Sequence, residues 1–248
     1  MSGLFHTFLY VPIYNLLVFL ADIVPGGDVG LAVVFATVIV KVVLMPLSLR
    51  AVRTQRQMKL IEPQLKELKE KYKNDRERQA KEMMALYREH GVRPFASILG
   101  LIIQLPIIIA LYLVFSRAAI FNIDPTLLYS FVPVPTVISP LFLGIFSVAG
   151  KSVALAVLAA LAQFALAYVS IPVPKASTGE KRSATEDFGR MMAVQARYFL
   201  PLMIGVVGFV TSGAVALYFI TASLVGLLQE LVVRKMERPA VPRPKQAL

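Results

Sequence analysis

Lys41 is the side chain best placed to do chemistry. It is the single charge in Val29 to Leu49 (VGLAVVFATVIVKVVLMPLSL). An ammonium near the centre of a membrane helix costs ~2.5–3.5 kcal/mol on insertion scales, and intramembrane charges are functional by default. Of the acidic residues, only Glu230 falls within the five apolar spans defined below, near the end of the last. An ion pair deep in hydrocarbon is therefore out of reach. Lys41 lies eight residues before Leu49, ~12 Å along a helix axis. What remains is a water-filled cavity open to the cytoplasm, a tightly caged ammonium, or a stem that snorkels to the surface. Gln104, Gln163, Thr37, Thr221 and Ser223 are uncharged polar groups in similar surroundings. Each suits the lining of such a cavity or a modest interhelical hydrogen bond. Tyr112, Tyr168, Tyr218 and Phe219 suit core or an aromatic belt, and Ala156, Ala159, Ala160 and Ala167 suit close helix packing.

Catalytic constellations are missing from the sequence. It has no H-E-x-x-H, G-x-S-x-G or Walker A pattern and no intramembrane carboxylate pair. Its two histidines, His6 and His90, are far apart, and it has no cysteine for a disulfide, a thiolate zinc site or an iron–sulfur cluster. We expect no enzyme, no metal site and no cofactor.

These residues must be positioned by membrane helices. The 248-residue chain is 57% hydrophobic and 17% charged, with a mean hydropathy of +0.68, against ~25% charged in soluble domains. A soluble globule of this size could not hide that much apolar surface. A span needs ~20 apolar residues, which gives an all-α polytopic membrane protein with spans at 29–49, 95–117, 152–171, 198–212 and 213–233. The apolar core of the fourth, Tyr198 to Val210, has 13 residues, or ~20 Å. That shortness predicts local thinning of the bilayer, unless the helix starts earlier, around Met191, with Arg197 snorkelling. Residues 4–24 are long enough to cross but carry His6, Pro12, Asn15 and Asp22 among five aromatics. That composition favours a helix lying in the headgroup region over a span.

Positive charges set the orientation. Residues 1–28 have none, 50–93 have 13, 172–197 have five and the tail from Arg234 has five, whereas 116–151 have two. The positive-inside rule puts the N-terminus outside and the C-terminus in the cytoplasm, with residues 118–151 as an extracellular connection and 172–197 as a mobile cytoplasmic loop. In that loop Ser183 and Glu186 have capping-box spacing for a short helix through Phe188, Met191 and Met192. Residues 50–94 read as a cytoplasmic helical hairpin. Its first arm carries Leu65, Leu68 and Tyr72, Lys73 to Asp75 form the turn, and Ala80, Met83, Met84 and Tyr87 stripe the second arm. Gly91 and Pro94 stop that arm. Glu62/Lys66 and Glu67/Lys71 have stabilising i,i+4 spacing. The hairpin is either a solvated coil or a docking arm for a partner. The basic tail, 234–248, has three prolines; it reads as disordered and suits anionic lipid or ribosomal RNA.

The chain resembles the YidC-type membrane protein insertases over nearly its whole length. The resemblance rests on VKVVLMPLSLRAVRTQRQM, the hairpin IEPQLKELKEKYKNDRERQAKEMMALYREHGVRPF, LIIQLPIIIALYLVF and TSGAVALYFITASLVGLLQE. It implies five core spans with a hydrophilic groove open to the cytoplasm and the lipid, in a bacterial plasma (inner) membrane. By position, the family's groove arginine falls at Lys41, its third-span glutamine at Gln163, and its last-span aromatic, often Trp, at Phe219; Gln104, Tyr218 and Thr221 complete the candidate groove. Lysine keeps the charge but lacks the planar fork of donors. The chain looks like the family's minimal form, with residues 4–24 as its interfacial helix. The implied activity is insertion and chaperoning of nascent membrane proteins by a monomer, without cofactor, beside the ribosome and either alone or with the Sec translocon. A transporter or channel subunit with Lys41 as an anion site, and a structural ribosome or lipid tether, are the competing classes.

Overall fold

A computed structural model of the protein describes residues 3–91, 106–114, 120–171 and 190–236. The described residues divide between two compact units, the first comprising 3–43 and 106–231 and the second 44–91 and 232–236.

In the first unit, α1 runs over Gly3–Ile23, with a wider turn at His6–Tyr10. Pro25 stops it, since the residue before a proline is pushed out of the helical region, and Val24 is extended. Helix α2, Val29–Val43, follows at once. Asp28 starts it: its carboxylate accepts from the Leu31 N–H at 2.9 Å, satisfying one donor of the first turn. The expected span to Leu49 is cut short. Pro46 has no N–H for the carbonyl of Val42, and the Leu47 N–H turns to Leu44 instead of Val43. Lys41 therefore lies in the last turn of α2, not two turns inside a longer helix.

Of the second expected span, 95–117, residues 106–114 are helical (α6) and the rest, with Gln104, lies outside the described residues. Helices α7 (Val153–Ser170), α8 (Arg190–Val210) and α9 (Gly213–Met236) close the unit. Helix α8 corrects the short fourth span. Its described part, Arg190–Val210, has 21 residues, ~31 Å at 1.5 Å per residue against ~30 Å of hydrocarbon. The mismatch that argued for a thinned bilayer is absent, because Met191, Met192 and Val194 extend the apolar run past Arg197. Close approach of α7 and α8 depends on small residues: a Cβ on Gly205 would meet Ala160 Cβ at 3.0 Å, and one on Gly208 would lie 3.7 Å from Ala156 Cα. The Arg197 guanidinium donates to the Tyr168 carbonyl in the last turn of α7 at 2.7 Å and lies 4.1 Å from the Tyr168 ring centre, meeting the negative end of that helix.

By length and composition, four helices among the described residues could cross a membrane: Gly3–Ile23, Val153–Ser170, Arg190–Val210 and Gly213–Lys235, with Val29–Val43 shorter.

The connection before α7 is ordered and tied to three helices. The Asn15 amide, midway along α1, donates to Leu127 O at 2.8 Å and accepts from Tyr129 N at 2.6 Å, while the Tyr14 hydroxyl accepts from Asp124 N. Asp124 accepts from both the hydroxyl and the N–H of Thr126. Those bonds hold its carboxyl below the usual range. Their contribution is present above that range and fades as pH falls. A small antiparallel ladder, β1 (Leu141–Phe142) and β2 (Phe146–Ser147), is an addition to the all-α expectation. Val29 N donates to Ser139 O, Ser139 N donates to Gly27 O, and Leu143 N donates to the second Asp28 oxygen at 2.7 Å. Gly27, at φ +63°, and Gly30 lack a Cβ where Val137 and the Phe142 ring press in. Farther on, Gly150 O and Val148 O accept from the first N–H groups of α9.

The second unit holds α3 (Met45–Leu60), α4 (Glu62–Lys71) and α5 (Arg76–Glu89). Asp75 caps α5 through the Arg78 N–H, and Gly91 at φ +63° supplies the stop. Its small core is Ile61 and Leu65 with Met58, Met83, Leu86 and Tyr87 packed against them. Burial pushes the Tyr87 phenol up. Met84, expected in the stripe, is exposed; Ile61 and Leu86 fill the core because the arms meet one position around the helix. Lys66 and Glu62 approach to 3.7 Å on the exposed face, worth a few tenths of a kcal/mol. The expected helix start at Ser183 and the tail beyond Met236 lie outside the described residues.

Candidate functional site

The faces of α2 decide the setting of Lys41. Val29, Gly30, Ala32, Val33, Ala36 and Thr37 are buried, whereas Phe35, Ile39, Val42 and Val43 are exposed. Thr37 returns its hydroxyl to Val33 O at 2.7 Å, as a buried hydroxyl in a helix must when no better acceptor is near. Lys41 stands one turn beyond Thr37 on the same side and is half-buried. The ammonium thus leaves the inward face of α2 near the carbonyl end, a favourable place for a cation, with the apolar face turned outward.

Gln163 joins two helices. Its carbonyl oxygen accepts from the Ser223 hydroxyl at 2.7 Å, linking α7 to α9. Such intramembrane bonds contribute about 0.6 kcal/mol on average, up to ~1.7. Ser223 is buried and Gln163 partly so. Tyr218 and Phe219 are both buried, with ring centres 5.4 Å apart and planes tilted by 59°. Thr221 is buried and bonds back to Leu217 O, so its hydroxyl is spent on its own helix. Gln163 and Ser223 are therefore brought together, Tyr218, Phe219 and Thr221 share the next turn of α9, and Gln104 falls outside the described residues.

Three polar residues escaped the sequence reading. Gln229 is buried on α9, and its amide nitrogen has no protein acceptor among the described residues, an arrangement that calls for water. Arg197, whose snorkelling is the alternative to a short fourth span, also clasps α7. Asp28 holds α2 to the connection, and an acidic residue directly before an apolar run is the recognisable signal of a helix start. Among the described residues no group of His, Cys, Asp and Glu could hold a metal ion.

Apolar helices of crossing length, with Lys41 near the end of α2 and an interhelical Gln–Ser pair, define a polytopic membrane protein. The family model of the 60Kd inner membrane protein matches residues 19–240, and the chain belongs to that family. Curated relatives include a membrane protein insertase YidC of Clostridium tetani, 29% identical over 86% of this chain and 85% of the relative. Another, of Oceanobacillus iheyensis, is 26% identical over 94% of this chain and 85% of the relative. A third, of Haemophilus ducreyi, is 40% identical over 45% of this chain and 20% of the relative. The protein is a multi-pass bacterial inner-membrane protein.

Proposed function

We propose that this protein is a membrane protein insertase and chaperone, a non-enzymatic device that passes short polar segments of nascent chains outward while their apolar segments move into lipid. Family membership and the insertase relatives support the activity. The observation that carries the mechanism is the inward-facing Lys41 at the end of α2. In a groove open to the cytoplasm, its ammonium holds water and draws acidic substrate tails, lowering the cost of bringing polar backbone partway into the bilayer. Burial of the substrate's apolar segment then supplies the driving force. Gln163, Tyr218, Phe219 and Thr221 form the remaining wall, with Gln104 on the second span. Expression in a bacterial strain depleted of its own insertase is the direct test. Restored growth with restored insertion of a reporter membrane protein is expected; ion flux without insertion would favour a transporter.

The orientation follows from the charge count, with the N-terminus outside and the C-terminal tail in the cytoplasm beside ribosome and anionic lipid. Helix α1 lies along the outer surface. Supporting this is the bonding of Tyr14 and Asn15, at its middle, to backbone groups of the connection, which would otherwise have to enter the bilayer core. Cysteines placed at Asn74 and Asn122 of this Cys-free chain should label from opposite sides with a membrane-impermeant reagent, and cysteines at Gly3 and Asp22 from the same side as Asn122. Labelling of Asn74 and Asn122 positions from one side would overturn the topology.

A further inference from the structure

The connection between residues 120 and 151 presents a surface that no water-exposed loop needs. Phe131 is 71% exposed, Ile145 73% and Leu143 57%, with Val134, Val137 and Leu141 exposed beside them. From 118 to 150 the chain carries a single charge, Asp124. The ladder's tip is also unusual. The turn from Phe142 to Ile145, closed by the Ile145 N–H on Phe142 O, puts Leu143 at φ +52° and Gly144 at φ +71°. Turns with positive φ at both central positions favour Asn-Gly or Asp-Gly, and a β-carbon-bearing apolar residue there is strained. The strain sets an exposed leucine at the tip, next to the most exposed isoleucine among the described residues.

We infer that this connection is an interfacial element of the bilayer, with Leu143 and Ile145 reaching the acyl chains and Phe131 lying at headgroup depth. The occupant is lipid for three reasons. Exposed apolar patches of this extent mark membrane or protein contacts. Asn15 and Tyr14 bind the connection to α1, which itself exposes Leu4, Phe8, Phe19 and Ile23. Its near-neutrality suits uncharged lipid, so the contact is apolar and indifferent to salt and to anionic headgroups. Asp28 aims the tip, since its carboxylate holds Leu143 N to the start of α2. The element would brace the outer ends of the spans against the membrane surface while substrates pass the opposite, cytoplasmic side. This inference rests on the membrane placement proposed above, but depth is measured from whichever face the connection lies on, so a reversed topology leaves it standing.

The chain has no tryptophan, so one introduced indole reports its own surroundings. Full-length protein carrying Ile145→Trp, Phe131→Trp or, as the aqueous reference, Asn74→Trp would be placed in dilute phosphatidylcholine vesicles. Acrylamide quenching at positions 145 and 131 is expected to be about threefold weaker than at 74, with strong quenching by bromines on the upper acyl chain. The pattern should be unchanged when anionic lipid or salt is added. Phe131→Trp, a swap between aromatics, keeps the test decisive if the tip variant folds poorly. Quenching at 145 and 131 equal to that at 74 would overturn the inference. So would shielding that appears only at high protein density, which would assign the surface to a second copy.

Discussion

Lys41→Glu is expected to cut insertion of substrates with acidic outward tails by about tenfold or more. At 4 Å, two unit charges interact by ~1 kcal/mol in water and ~4 kcal/mol at the effective dielectric near a protein surface, and ~1.4 kcal/mol is tenfold. Reversing the sign turns that attraction into repulsion in a partly desolvated site. Lys41→Arg should keep activity, because the charge survives and the longer fork reaches at least as far. Lys41→Ala should fall between, with the greater loss again on acidic tails. The glutamate also faces the carbonyl end of α2, a stability penalty of about 0.3–1 kcal/mol, so the comparison requires matched protein levels. The measurement is insertion of paired substrates identical except for acidic or neutral tails. Equal losses on both would remove charge attraction from the mechanism, and near-neutral effects of all three substitutions would mean that Lys41 only anchors the helix end.

The largest effect on stability is expected at Asp28. Its two oxygens accept from Leu31 N and Leu143 N, and the residue is buried. Asp28→Ala removes a helix cap, typically about 1 kcal/mol, and leaves the part-buried Leu143 N–H without its acceptor, about 1 kcal/mol, the low end of the range for a buried group. A loss of about 2 kcal/mol is expected in thermal unfolding of the purified protein in detergent. Asp28→Asn should recover part of it, since one amide oxygen still accepts while the amide nitrogen cannot. Hydrogen exchange should rise around Leu143 in both variants but at the start of α2 chiefly in the alanine variant. A change below ~0.5 kcal/mol for Asp28→Ala would show that water replaces the carboxylate at no cost.

How much the sequence alone carried is visible in particular residues. Its composition excluded a soluble enzyme, because 57% hydrophobic residues cannot be hidden in a 248-residue globule. The motifs around Lys41, the hairpin and the last span pointed to the insertase family, and the match over residues 19–240 places the chain there. The turn before Arg76 and the stop at Gly91 were legible because caps and positive-φ glycines are local. Helix ends set by longer-range effects were not. An apolar count cannot see that Pro46 breaks the helix at Val43, or that α8 already includes Arg190 and accommodates Arg197 by laying its guanidinium on Tyr168.

Periodicity alone also left the direction of Lys41 open. Apart from Thr37 and Lys41 itself its helix is apolar, and two residues one turn apart are too short a polar stripe to mark an inner face. Only packing distinguishes the two sides: α1 and β1 lie against α2, Val33 and Thr37 are buried, Phe35 and Ile39 are not, and Lys41 falls on the buried side. The same holds for the partnership of Gln163 with Ser223, sixty positions apart, and for Asp28 and Asn15, whose acceptors and donors lie more than a hundred residues away. Composition and local motifs determined that this is an insertase-family membrane protein, because burial of apolar area and capping depend on residue type and near neighbours. Which polar groups meet depends on chain segments brought together by folding, and that the tertiary structure decided.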